Sequence, residues 1–328
     1  MVPLLLMLLA LIYMNTSWPT ALALVVGVLA LFAINLIVRQ ESMLYVPCVM
    51  PGMQRPRENP EGFRSPADKG LEFEDVYLKT TDGLRIHCWF MPAPEEAREG
   101  APTVLFLHAN AGNMGLRIPN FKELVDRLAC NIMAIDYRGY GESEGAPSED
   151  GLIEDALAAW RWLQAAAGEG RLDSGKIFVF GRSLGGAVAI GLARAVQQAG
   201  EGRPCGLLLE NTFTSIGALV DVLFPFIAFK PLKDRFLRLR WESIERIKSV
   251  EVPLLFLTGA KDEMIPPAHS HALHGNASSS PLRRIEVFQE GTHNDTWEKG
   301  GEKYWVAWST FVEECAMAEH KSAATADG

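Results

Sequence analysis

The sequence predicts an α/β protein: an open, mostly parallel, doubly wound sheet of about eight strands with helices on both faces. Three observations carry that expectation. Short apolar runs of the kind that fill a doubly covered sheet recur along the chain. Longer stretches with an apolar face at helical spacing lie between them. A hairpin pattern stands in front of the alternation, turning at Asp82-Gly83 between runs at 73–79 and 84–91.

The remaining strands are expected at 103–107, 132–135, 176–180, 206–209, 253–258 and 284–288. The clearest helices are expected at 116–128, 148–166 and 184–198. With 328 residues, 48% of them apolar and 22% charged, the chain has globular usage and room for one large domain with an appendage. A net charge of −9, with no basic stripe and no zinc-finger spacing, argues against a nucleic-acid partner. The five cysteines, Cys48, Cys88, Cys130, Cys205 and Cys315, form no CxxC pair, so neither a disulfide framework nor a zinc site is indicated.

The N-terminus differs from the rest. No side chain between positions 2 and 38 is charged, and 20–38 reads TALALVVGVLALFAINLIV, about the length of a bilayer-spanning helix. A shorter apolar run at 2–14 precedes it, separated by Asn15-Thr16-Ser17-Trp18-Pro19. One long anchor, a tight helical hairpin and a cleaved signal peptide all answer to this pattern. The last is the weakest, because no Lys or Arg opens the segment and no small-residue cleavage site closes a short apolar core. Arg39, Arg55 and Arg57 follow the span and lean the orientation toward a cytoplasmic catalytic domain. The expected organisation is a membrane anchor at 1–40, a Pro- and Gly-rich juxtamembrane tether at 41–70, a catalytic domain at 71–318 and a flexible tail at 319–328. An anchor and tether of this kind leave residues 1–46 outside the folded domain.

The sharpest chemical signal is Gly181-Arg182-Ser183-Leu184-Gly185-Gly186, which follows the strand KIFVF and opens a helix. That is the context of a G-x-S-x-G nucleophile elbow and of the α/β-hydrolase fold. A serine hydroxyl needs a base held by an acid, and the fold places them in the order Ser, acid, His, each after a strand. Asp262 follows PLLFLTGAK, and His293 follows RRIEVFQE. Glu263 and Glu210 are the rival acids. Asp262 is preferred, because it stands nearer its strand end and its loop precedes the His-bearing strand. His269, His271 and His274 share a predicted helix and read as a solvated face more readily than as a metal site, so no metal or cofactor is called for.

The oxyanion hole needs two converging N–H donors. Leu184, after the nucleophile, supplies one from its backbone, and the backbone of Asn110, in the loop after TVLFL, supplies the other. His108 is expected to brace that loop. Asp136, in Asp136-Tyr137-Arg138-Gly139-Tyr140-Gly141, is expected to brace the neighbouring one.

HANAGN, DYRGYGESEG, GRSLGGAVAI, ENTFTSI, DEMIPP and GTHNDTW together resemble the Bem-type branch of the α/β-hydrolase-domain proteins, over roughly residues 70–315. The resemblance implies a membrane-anchored serine hydrolase with a single N-terminal signal-anchor, and related branches act as protein depalmitoylases on acyl-cysteine thioesters. Its substrates are then acylated proteins or lipids at a membrane surface. The family pattern has glycine where this chain has Ala109, and a methyl group is unfavourable there if the position needs φ > 0. Between GLLLE and PLLFL lies the expected small lid, with an apolar run at 223–229 and the basic residues Lys230, Lys233, Arg235, Arg238 and Arg240. An acyl-chain pocket opening at an anionic membrane and a pair of packed helices with solvated charges are equally consistent with it. A catalytically weak scaffold that keeps the fold for partner binding is the alternative from another functional class.

Overall fold

The computed structural model describes residues 17–225, 233 and 235–326. The apolar run at 2–14 and the lid residues Phe226, Ile227, Ala228, Phe229 and Lys230 lie outside the described residues. Within them one sheet is formed by β1 Glu74–Lys79, β2 Arg85–Met91, β3 Thr103–Leu107, β4 Asn131–Ile135, β5 Ile177–Arg182, β6 Gly206–Glu210, β7 Leu254–Gly259 and β8 Arg283–Phe288. The spatial order is β1-β2-β4-β3-β5-β6-β7-β8. β2 is antiparallel to both β1 and β4, and all other neighbours are parallel. β3 to β7 are buried at every position. That is why they read in the sequence as unbroken apolar runs and not as alternations.

Helices of eight residues or more are α1 Trp18–Val38, α2 Ile118–Leu128, α3 Glu149–Gly168, α4 Leu184–Ala199, α5 Ile216–Leu223, α6 Ala268–Asn276 and α7 Gly301–Ala326. α3 shows how local sequence sets a boundary. Ser148 caps it by accepting from the Gly151 amide, and Glu149 and Asp150 place negative charge in its first turn. Side chains alternate across the sheet into two cores. Leu105, Val179 and Leu207 meet α3, α4 and α6 on one face. Val104, Phe180 and Leu208 meet α2 and α7 on the other.

This layering puts the loops after β3, β5, β6, β7 and β8 on one sheet edge, the carboxyl-terminal one, where open α/β sheets bind ligands. Those loops carry Asn110, Ser183, Asn211, Asp262 and His293 respectively.

Two expected boundaries need correction. The segment expected as a free tether is folded onto the domain: Tyr45 and Asn59 are buried, Pro56 and Pro66 are buried, and Asn59 Nδ2 donates to Asn113 Oδ1 at 2.8 Å. Its prolines and glycines shape successive turns over the sheet edge, which composition alone cannot distinguish from a linker. The segment expected as a flexible tail continues the backbone of α7 as far as Ala326.

α1 is a 21-residue helix without a charged side chain, about 31 Å long at a rise of about 1.5 Å per residue. Leu29, Leu31, Ile34 and Val38 are exposed on it. The side chains of Ala33 and Leu36 lie outside the described residues, and among the described residues taken alone no helix is long and apolar enough to cross a membrane.

Of the cysteines, Cys48 is exposed and the other four are buried thiols. Burial pushes Cys130 and Cys315 up to about 12, so they behave as small apolar groups.

Candidate active site

The turn from β5 into α4 places Ser183 in a strained conformation, φ 56° and ψ −117°. For a residue with a side chain that costs about 1–3 kcal/mol and persists only where the surroundings enforce it. They do. A Cβ on Gly181 would sit 2.2 Å from the Gly185 carbonyl oxygen, and one on Gly185 would sit 2.0 Å from the Leu107 carbonyl oxygen. Only glycines let the helix start press directly against the strand ends. The Ser183 amide donates to Glu210 O at 2.9 Å, and Thr212 Oγ1 donates to Ser183 O at 2.7 Å.

The structure brings the three residues expected from the sequence together. His293 Nε2 lies 3.1 Å from Ser183 Oγ, and His293 Nδ1 lies 2.8 Å from Asp262 Oδ2. All three are buried. The other carboxylate oxygen, Asp262 Oδ1, accepts from the amides of Met264 at 2.9 Å and Ile265 at 2.8 Å. Those amides fix the carboxylate, and an ionised carboxylate only accepts, so the imidazole proton belongs on Nδ1. The lone pair on Nε2 is then aimed at the serine hydroxyl.

The rival acids are occupied elsewhere. Glu210 is fully buried, accepting from Arg182 Nε at 2.5 Å and from the Tyr304 hydroxyl at 2.5 Å. Glu263 is exposed.

Asn211 braces the candidate site, a role that its sequence context did not reveal. It adopts φ 47°, a conformation asparagine tolerates better than most residues. Its Nδ2 donates to the carbonyls of Thr292 and His293, both at 3.1 Å, and to Thr296 Oγ1 at 2.9 Å. Its Oδ1 accepts from the Gly259 amide at 2.9 Å. One side chain thereby ties the histidine loop to the end of the strand that leads to Asp262. The signal was the polar Asn-Thr pair directly after the apolar strand GLLLE.

Around the proposed oxyanion donors, the close approach at Gly185 sets the start of α4 against the backbone of Leu107 and His108. Neither the Asn110 nor the Leu184 amide has a hydrogen-bond partner among the described residues. Ala109 fits without strain, since the described non-glycine residues with positive φ are Ala129, Ser183, Asn211 and Trp241. His108 Nδ1 donates to Ala109 O at 2.6 Å, a bracing role as expected. Asp136 Oδ1 accepts from the Met114 amide at 2.7 Å, and a Cβ on Gly141 would sit 1.8 Å from Asp136 Oδ2.

The histidine-rich helix differs from a solvated face at two positions, since His274 is half-buried against the Phe256 ring. His269 is buried, and its Nδ1 lies 2.9 Å from Thr214 Oγ1. Burial pushes its pKa down. No group of three potential ligands suited to a metal occurs among the described residues.

In the lid region two of the basic residues are already paired, Lys233 with Asp221 and Arg238 with Glu41. Gln40 Nε2 also donates to Phe236 O at 2.8 Å, and the Arg238 amide donates to Gln40 Oε1 at 2.8 Å. The segment just after α1 is thus fastened to the lid region.

Residues 104–218 match the family model described as an alpha/beta hydrolase fold. The chain is 39% identical over 296 residues to the alpha/beta hydrolase domain-containing protein WAV2 of Arabidopsis thaliana, covering 87% of this chain and 91% of that protein. It is 37% identical over 267 residues to protein bem46 of Schizosaccharomyces pombe, covering 81% and 84%. With an uncharacterized membrane protein of Saccharomyces cerevisiae, YNL320W, it shares 34% identity over 243 residues, covering 74% and 80%. Among solved structures, the Pyrococcus furiosus esterase Pf2001 superposes with a TM-score of 0.61 at 20% identity, covering 76% of this chain and 95% of that one, a likeness of fold.

Proposed function

The chain belongs to the family of α/β-hydrolase-domain proteins that includes WAV2 and bem46, and from that premise we propose that it is a serine hydrolase that cleaves acyl esters or thioesters through an acyl-enzyme on Ser183. The observation that carries this reading is the hydrogen-bond chain Asp262–His293–Ser183 at 2.8 and 3.1 Å. A scaffold protein has no physical need of such a chain, nor of the strained elbow beneath it.

The proposed mechanism follows from those atoms. His293 Nε2 takes the Ser183 proton as Oγ attacks the acyl carbonyl, and Asp262 stabilises the resulting imidazolium. The amides of Leu184 and Asn110 receive the developing oxyanion, aided by the positive end of α4. The imidazolium then protonates the departing alkoxide or thiolate, leaving Ser183 acylated. Water, deprotonated by the same histidine, attacks the acyl group and releases the carboxylic acid.

The proposed substrate class is a long-chain acyl group on a protein cysteine, an acyl-protein thioester, and the alternative is a lipid or carboxylic ester. Three features support a substrate at a membrane surface. The uncharged apolar run at 20–38 has about the number of residues a bilayer-spanning helix needs, and a relative is named as a membrane protein. Val222, Leu223 and Phe236, all exposed apolar residues of the lid region, belong to the region fastened to the segment just after α1. Arg39, Arg55 and Arg57 favour a catalytic domain on the cytoplasmic side.

The test is turnover of the full-length protein in detergent micelles or vesicles on matched oxygen-ester and thioester series of increasing acyl length. The expected result is hydrolysis in both series, with KM falling by up to about fourfold per added methylene until the apolar surface is filled. Absence of turnover on every member of both series would contradict the proposal.

A further inference from the structure

We infer that Leu44, Tyr45 and Val46, between α1 and the catalytic domain, form a working part of the oxyanion loop and position the Asn110 amide for catalysis. The inference rests on the serine-hydrolase reading and assigns a task to a segment outside the motifs that carry it.

Asn110 is held on three sides. Its N–H belongs to the peptide whose carbonyl, Ala109 O, accepts from His108 Nδ1 at 2.6 Å. In a trans peptide the N–H points opposite to that carbonyl, so the histidine aims it. The next peptide is held through Asn110 O, which accepts from the Val46 amide at 3.2 Å and from the Tyr140 hydroxyl at 2.9 Å. The side chain is held through Nδ2, which donates to Leu44 O at 2.7 Å. Val46 completes a parallel bridge with Ala111, its carbonyl accepting from the Gly112 amide at 2.9 Å. Two of the three restraints therefore come from the segment that follows α1.

That segment is itself fixed. Tyr45, between the two contacting residues, is 2% exposed, and its hydroxyl oxygen accepts from Trp241 Nε1 at 3.0 Å. Trp241 in turn donates its amide to Glu149 Oε2 at 2.8 Å. The short helix Gln40–Leu44 joins this anchorage to the end of α1. A displacement of α1 relative to the domain is thus delivered to the side chain and the following peptide of Asn110, the residue whose N–H is the oxyanion donor. Because an oxyanion donor acts where charge develops, misplacing it lowers kcat and leaves ground-state binding largely intact.

The experiment uses the full chain and the Val46→Pro variant, which loses the amide that donates to Asn110 O but keeps the carbonyl that accepts from the Gly112 amide. Active sites are counted by burst titration, so turnover is expressed per competent site. The expected result is a fall in kcat of about 10- to 100-fold, less than complete loss of one oxyanion donor produces, with KM on a short soluble ester within about twofold. Affinity for a trifluoromethyl ketone, which forms a tetrahedral adduct on the serine, should fall in step with kcat/KM. A structural role alone would lower the number of competent sites and leave kcat per site unchanged, and that result overturns the inference. Should Val46→Pro fail to fold, Tyr45→Phe removes only the bond from Trp241. It is expected to lower kcat per site by about threefold with KM unchanged, and an unchanged kcat overturns the inference. Wild-type protein that shows no burst and no ketone binding would instead overturn the serine-hydrolase reading itself.

Discussion

Asp262→Asn is expected to lower kcat by about 10⁴-fold while the protein stays folded. The size follows from what the carboxylate does. Asp262 Oδ2 faces His293 Nδ1 at 2.8 Å, and its partner oxygen is held by two backbone amides. An asparagine in the same place keeps its carbonyl oxygen on those amides and turns its NH2 toward the imidazole. Nδ1 must then accept, the proton moves to Nε2, and the nitrogen facing Ser183 can no longer take a proton. Charge is lost as well, so the imidazolium formed during attack has no counter-ion. Rates measured by stopped assay, with circular dichroism to follow folding, check this. A loss of less than about tenfold would remove Asp262 from the account.

Glu210→Gln is expected to act on stability, with a fall in thermal midpoint of about 10 °C and turnover at 25 °C within a few-fold of wild type. Arg182 and Glu210 form an ion pair with side-chain exposures of 5% and 0%. Arg182 also donates to Asn120 at 3.0 Å, and Tyr304 donates to the second Glu210 oxygen. Removing the negative partner leaves a guanidinium buried without a counter-charge, which costs about 3–5 kcal/mol. In a domain of this size that is roughly 2–4 °C per kcal/mol. Differential scanning calorimetry on wild type and variant decides it. A variant that melts like wild type but loses orders of magnitude in turnover would make Glu210, and not Asp262, the acid.

The contrast between these two acids reflects what a sequence can display. The inner strands β3 to β7 were legible because a doubly buried strand is apolar at almost every position, as 254–257 is. The relation of Ser183, Asp262 and His293 was legible because the fold sets their order along the chain. Asn211 was not, because its role lies in four partners from two other segments, and nothing in an Asn-Thr pair announces them. The segment at 41–70 misled for a related reason. Its prolines, glycines and charges are those of a linker, yet Tyr45 and Asn59 are buried and bonded to Trp241 and Asn113, far along the chain. If Leu44 and Val46 position the Asn110 amide as inferred above, a cut after position 46, which removes their contacts with that loop, is expected to lower turnover of a soluble ester as well. Ala109 raised the opposite concern, and the structure removes it: the position has no positive φ, so no glycine is needed.

The central claim is that Ser183 is the nucleophile, and covalent capture tests it most directly. Full-length protein in detergent is treated with a fluorophosphonate, and the adduct is located by mass spectrometry of the digested chain. The account predicts one adduct per chain, on the peptide carrying Ser183, with none formed by a folded Ser183→Ala variant. An adduct on any other residue, or none on the folded wild-type protein, would contradict it.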